Sequence, residues 1–240
     1  MSIDVRIDPE VSTAAVAGVT VRVSALLLGG IPRGAAIIVG GPDGLGPVEA
    51  VDTVNALAQH GYESVMAEPV GAGHDDDFAR ELVHHLMDRV AARGWTHEQT
   101  GVIGYGQGAR AALIAGSEAI FGAAISVPRD TRQFLRANRI MALQTPWLGM
   151  TGLGSHSDFS EELSVYRDEV EAASTAHTSL IWYPGLDHCL HDSVDALVHQ
   201  AAFDTWQRTA EWLNIHVEPR PTPLAEAWRE RQKFVQPAAH

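Results

Sequence analysis

Short β-rich apolar runs alternate along this chain with longer stretches whose apolar residues recur at helical spacing. Val19 to Leu28 reads as a strand, and Gly29-Gly30-Ile31-Pro32 as the turn after it. Ala35 to Val39 is continuously apolar, as a strand buried on both faces should be. A Gly-rich loop follows, from Gly40 to Pro47. Val48, Val51, Val54, Leu57 and Ala58 then mark one face of a helix that Gly61 closes.

Ser64 to Ala67 is the next strand. Asp75 to Arg93 reads as a helix with acids in its first turn, an apolar face of Phe78, Leu82, Leu86 and Val90, and Gly94 as its stop. Thr100 to Ile103 is a short strand that runs through a Gly-rich turn into a helix at Ala109 to Ile114. Phe121 to Ser126, Trp147 to Thr151 and Ser179 to Tyr183 read as strands. Helices are expected near Thr131 to Arg139 and Glu161 to Ala173, and from about Ser193 to Leu213.

Strands alternating with helices specify an α/β fold with a mostly parallel central sheet and helices on both faces. Residues 1–217 are expected to form a single domain. Residues 218–240, opening with Glu218-Pro219-Arg220-Pro221-Thr222-Pro223, read as a Pro-rich tail, an extended strap with a short helix near Leu224 to Lys233.

Charge and composition narrow the partners. The formal net charge of −13 repels phosphate backbones and anionic membranes, so neither nucleic acid nor a membrane is expected as a partner. The only cysteine, Cys189, excludes an internal disulfide and fits a cytoplasmic protein. The opening MSIDVRIDPE lacks the apolar stretch of a signal peptide.

Three segments carry candidate chemistry. Val102-Ile103-Gly104-Tyr105-Gly106-Gln107-Gly108 ends a strand, turns tightly and starts a helix, the setting of a G-x-S-x-G nucleophile elbow. Tyr183-Pro184-Gly185-Leu186-Asp187-His188 follows the last strand. The order of elbow, acid-bearing loop and histidine is the third signal. With Leu57-Ala58-Gln59-His60-Gly61-Tyr62 and Thr205-Trp206-Gln207-Arg208, these segments resemble the dienelactone hydrolase family across roughly Val21 to Leu213.

The resemblance implies the α/β-hydrolase fold, a pocket above the C-terminal ends of the strands, no cofactor and a small-molecule substrate. A homodimer is compatible with it. It also implies a Cys or Ser nucleophile where this chain has Gly106, a glutamate where it has Gly41, and an acid near Ser155, with Asp158 the nearest carboxylate. Glycine offers no atom for an acyl-enzyme. The expected activity is therefore acid–base chemistry on a small carbonyl, ester or lactone compound. His188 would be general base, with Asp158 to orient it and Gly106 at the nucleophile position. Gly41, Asp43, Tyr105 and Gln107 would bind substrate, the Gln107 amide as an oxyanion donor. The alternatives are a non-catalytic small-molecule-binding or scaffold member of the family, or a hydrolase variant whose nucleophile was removed.

Other clusters have plainer readings. His74-Asp75-Asp76-Asp77 is an acidic helix start rather than a metal site, and His188 with His191 lacks a clear third ligand, so no metal is expected. His84 and His85 read as surface. Asp158 doubles as a helix cap, and Cys189 as a packed core thiol.

Overall fold

The structure, a computed structural model, describes residues 6–40, 43–69, 75–137, 140–154, 159–190 and 195–235. The strands are β1 (Glu10–Val16), β2 (Val19–Leu26), β3 (Gly34–Val39), β4 (Tyr62–Pro69), β5 (Thr100–Tyr105), β6 (Ala123–Val127), β7 (Trp147–Gly154) and β8 (Thr178–Pro184). The helices are α1 (Pro47–Gln59), α2 (Asp76–Ala91), α3 (Ala109–Glu118), α4 (Thr131–Ala137), α5 (Phe159–Ala173), α6 (Ala196–His216) and α7 (Pro223–Val235).

One eight-stranded sheet runs β1-β2-β4-β3-β5-β6-β7-β8. The pairs β1–β2 and β2–β4 are antiparallel, and every pair from β4 through β8 is parallel. This is the α/β-hydrolase arrangement, with an antiparallel ribbon leading into a parallel body. β1 is the one strand the sequence pattern does not announce. Its residues face solvent along most of their length and show no apolar alternation.

Period-two geometry divides the buried residues of each central strand between the two faces. On β3, Ala35, Ile37 and Val39 join the cluster under α2 and α3, while Ala36 and Ile38 join the cluster under α1 and α6. On β5 the same alternation turns Ile103 and Tyr105 toward the α1 and α6 face. Gly104 faces α3, where a Cβ would meet the Gly108 backbone. A third cluster of Leu113, Trp147, Phe159, Leu163 and Tyr166 seats α5.

Helix ends follow their capping chemistry. Asp75 caps α2 by accepting from Phe78 N–H at 2.9 Å, and Asp195 caps α6 by accepting from Leu197 and Val198 N–H. Gly61 and Gly94, in the left-handed region at φ 83° and 84°, end α1 and α2 as the sequence implies.

The lower end of the sheet, at the N-terminal ends of the parallel strands, carries a set of buried polar clamps. Glu63, 2% exposed, accepts from Arg93 Nη2 at 2.7 Å, Trp95 Nε1 at 2.8 Å and Leu28 N–H at 3.1 Å. Tyr62 accepts from Arg33 and donates to Asn214. The chain past α6 returns here: Arg220 lies 3.8 Å over the Trp95 ring and donates to the carbonyls of Arg93 and Gly94, while its own N–H bonds Arg33 O at 3.1 Å.

Burial alone would raise the Glu63 pKa, but the bonds from Arg93, Trp95 and Leu28 outweigh it and hold the carboxyl below its ordinary value. A depressed folded-state value contributes stability above the unfolded pKa and loses it as pH falls through the folded one. Glu63→Gln turns an amide NH₂ toward donors and should cost about 2–3 kcal/mol at neutral pH. Urea unfolding of both proteins at neutral pH and in acid below the ordinary carboxylate range checks this: the difference should shrink there.

Candidate active site

The elbow is built by three close approaches of backbone. β5 ends at Tyr105, and Gly106–Gly108 forms one 3₁₀ turn that runs into α3. A Cβ at Gly104 would lie 2.0 Å from Gly108 O, and one at Gly108 would lie 2.1 Å from Val39 O. Only hydrogen fits at either flank. Behind the turn, the buried Ser126 hydroxyl donates to Ala109 O at 2.8 Å and accepts from Trp147 Nε1 at 3.0 Å, fixing the first turn of α3.

Gly106 sits at the apex with φ 59°, the left-handed conformation its place between strand and helix predicts. A Cβ there would stand 2.6 Å from Asp43 Oδ1, 2.7 Å from Gly44 N and 2.8 Å from Gly44 Cα. The space that a side chain at this position would need is thus filled from the opposite loop, by the Asp43 carboxylate and the Gly44 backbone. Asp43 Oδ1 also accepts from Gln107 N–H at 3.0 Å. The amide expected to stabilise an oxyanion is engaged by an internal carboxylate.

His188 lies past β8, three strands away from β5 in sheet order, yet its segment folds back across the sheet. A Cβ at Gly152 on β7 would meet Leu186 O at 2.3 Å and His188 N at 2.5 Å, so the segment lies flush on the end of β7. Gly154 N–H bonds Leu186 O at 2.7 Å, and the Thr131 hydroxyl bonds Thr151 and the Gly152 carbonyl. The imidazole is half-buried, and its Nδ1 accepts from Leu190 N–H at 3.3 Å.

Next to His188, the side chain of Cys189 is 1% exposed, and burial pushes its thiol up to about 11, so it stays protonated and packed as expected. Tyr183 holds the preceding strand to α6: its hydroxyl donates to Asp204 Oδ2 at 2.7 Å and accepts from Thr205. Burial would raise the Asp204 pKa, but the bonds from Arg208 and Tyr183 lower it.

A cavity of about 260 Å³ opens beside the elbow, between α1 and α6. Leu45, Cys189 and Leu190 line it from the loops after β3 and β8, and Tyr105 from the end of β5; Thr53, Thr205 and Trp206 line it from the helices. Tyr105, expected to bind substrate, is 6% exposed in this wall, and burial raises the pKa of its hydroxyl. Thr205 and Trp206 carry part of the family resemblance, but nothing in the sequence marks them as cavity residues.

The structure therefore brings Gly106, Asp43, Gln107 and Tyr105 together, and Cys189 and Leu190, next to His188, share the cavity wall with Tyr105. Gly41 and Asp158 lie outside the described residues, as do His74 and His191. Asp75 and Asp76 are accounted for by the α2 cap and by an ion pair of Asp76 with Arg110. His84 is exposed, whereas His85 is half-buried and its Nε2 has no partner among the described residues. No feature of the sequence signals that Gly152 seats the histidine segment or that Asp43, expected to bind substrate, itself takes the Gln107 amide.

Sheet order, elbow and the loops that meet above it define an α/β-hydrolase-fold protein. The sequence pattern of the dienelactone hydrolase family matches residues 32–217. The chain belongs to the dienelactone hydrolase family. Among solved structures it is similar to a putative dienelactone hydrolase from Klebsiella pneumoniae subsp. pneumoniae MGH 78578, at 20% identity and TM-score 0.59, covering 86% of this chain and 98% of that one. It is also similar to Thermogutta terrifontis esterase 2 phosphorylated by paraoxon, at 17% identity and TM-score 0.65, covering 91% and 98%. The Pyrococcus furiosus esterase Pf2001 shares 13% identity at TM-score 0.58, covering 88% and 93%. No curated protein matches the sequence. Among the described residues no helix is long and apolar enough to cross a membrane.

Proposed function

We propose that the protein acts on a small carbonyl, ester or lactone compound by acid–base chemistry, without an acyl-enzyme, and that His188 is the general base. The observation that carries this reading is Gly106: it holds the elbow's left-handed backbone, but the nucleophile's space is occupied by Asp43 and Gly44. A chain with this apex can polarise and deprotonate, but it cannot be acylated there.

Acting as a base through Nε2 requires the neutral ring to carry its hydrogen on Nδ1. Leu190 N–H favours the other tautomer. Giving up one long hydrogen bond costs about 1 kcal/mol. General-base catalysis contributes about 10²–10⁴-fold, several times that cost in free energy. The tautomer switch is therefore compatible with the role.

Steady-state assays on aryl esters and lactones, with His188→Ala as the comparison, test the reading. The substitution should lower kcat by about 10²-fold or more. Equal rates in both proteins would remove His188 from the mechanism. Tight binding of a small molecule with no turnover of any ester or lactone would instead favour a binding protein built on the same cavity.

A further inference from the structure

We infer that Asp43 makes this site selective against anionic ligands, so that the compound it takes carries no carboxylate. The inference rests on the reading that elbow and cavity receive a carbonyl compound. Its geometry is that of an occupied anion slot. A backbone amide at the start of a helix is an anion donor, and here Gln107 N–H already holds an anion: Asp43 Oδ1 at 3.0 Å. The same oxygen covers Gly106, at 2.6 Å from where a Cβ would stand. A ligand carboxylate seeking that amide must displace a tethered carboxylate of like charge. An uncharged carbonyl needs only to share or borrow the donor.

The neighbouring cavity repeats the pattern. Glu49 and Asp52 line it, and among the described residues no Lys, Arg or His does. Arg6 reaches Asp52 at 3.1 Å, which offsets one of those charges but leaves Glu49 and Asp43. The whole chain adds to the effect through its net charge of −13. The apolar part of the lining, including Leu45, Tyr105, Leu190 and Trp206, suits an uncharged organic body.

Like charges about 4 Å apart at a half-exposed site repel, and the tethered carboxylate cannot move far to relieve it. Solvent screening reduces this, so a selectivity of at least about 30-fold is expected. The test pairs two acetyl esters nearly identical in shape but different in charge: 4-acetoxybenzamide, which is neutral, and 4-acetoxybenzoate, which is anionic. Wild-type protein should hydrolyse the acetyl ester of the neutral compound with the higher kcat/KM, by about 30-fold or more. Asp43→Asn, isosteric and still able to accept from Gln107 N–H, should bring the ratio to within about threefold.

A second arm needs no turnover. In ¹⁵N-labelled protein, excess acetate should leave the Gln107 amide resonance of the wild type in place and should shift it in Asp43→Ala, where the slot is open. The proposal is overturned if the charge preference survives in Asp43→Asn. It is equally overturned if acetate binds Gln107 in the wild type, or fails to bind it in Asp43→Ala. Inertness of the wild type toward both esters counts against the proposed hydrolytic reading, and the acetate arm then decides the role of Asp43.

Discussion

Gly108→Ala should cost about 3 kcal/mol of folding stability or more, one of the largest single-residue effects expected for this chain. The backbone of Gly108 is ordinary, at φ −63°, so left-handed strain plays no part. The cost comes from proximity. The added methyl would lie 2.1 Å from Val39 O and 2.8 Å from Val39 C. Those are main-chain atoms of β3, a strand paired on both sides with β4 and β5. A long side chain could swing away, but a central strand cannot move without breaking its ladders. Gly18→Ala is the control. Its φ of 76° is left-handed, but nothing lies within 4 Å of the added methyl, and it should cost only about 1 kcal/mol. Urea-unfolding midpoints compare the two. If Gly108→Ala proves as mild as Gly18→Ala, α3 does not press against β3 as the structure describes.

Gly106→Ser should neither rebuild a hydrolase nor leave stability untouched. The left-handed φ of 59° costs a serine about 1–2 kcal/mol. That strain alone would not stop the residue from acting as a nucleophile. The obstacle is the opposite loop. The new Cβ would collide with Gly44 N at 2.7 Å and Gly44 Cα at 2.8 Å, and Asp43 Oδ1 occupies the path of the hydroxyl. A total loss of about 2–4 kcal/mol is expected, with Gly106→Ala losing as much because the collision begins at Cβ. A fluorophosphonate probe should label neither wild type nor Gly106→Ser. Stoichiometric burst labelling at position 106 would mean that the loop yields and that a working oxyanion hole reassembles behind it.

Much of this architecture can be read from the chain. Long periodic segments such as Phe78 to Val90, and the apolar run of Ala35 to Val39, identify their elements because burial imposes their period. The turn at Gly104 to Gly108 identifies its own place between strand and helix. β1 escapes such reading because an edge ribbon with exposed residues has little burial to impose a pattern. The site is less legible than the sheet. Asp43 stands in a Gly-rich loop, and its effect depends on where that loop closes over a turn 64 positions later. The hydrogen bond that His188 Nδ1 accepts comes from a backbone amide, which no side-chain identity reveals.

The polar clamps formed by Glu63, Arg93, Trp95, Tyr62 and Arg220 all lie at the end of the sheet away from the elbow. Scaffold and chemistry are thereby held by different residues, about one strand length apart. Such a division gives the family room for functional drift. A lineage can exchange the apex residue, or refill its space from a loop, while the clamps keep the chain above the threshold at which folding fails. Only the flanking glycines, Gly104 and Gly108, answer to both demands at once. The apex between them is free to change trade, and a glycine there leaves the frame of strand, turn and helix in place.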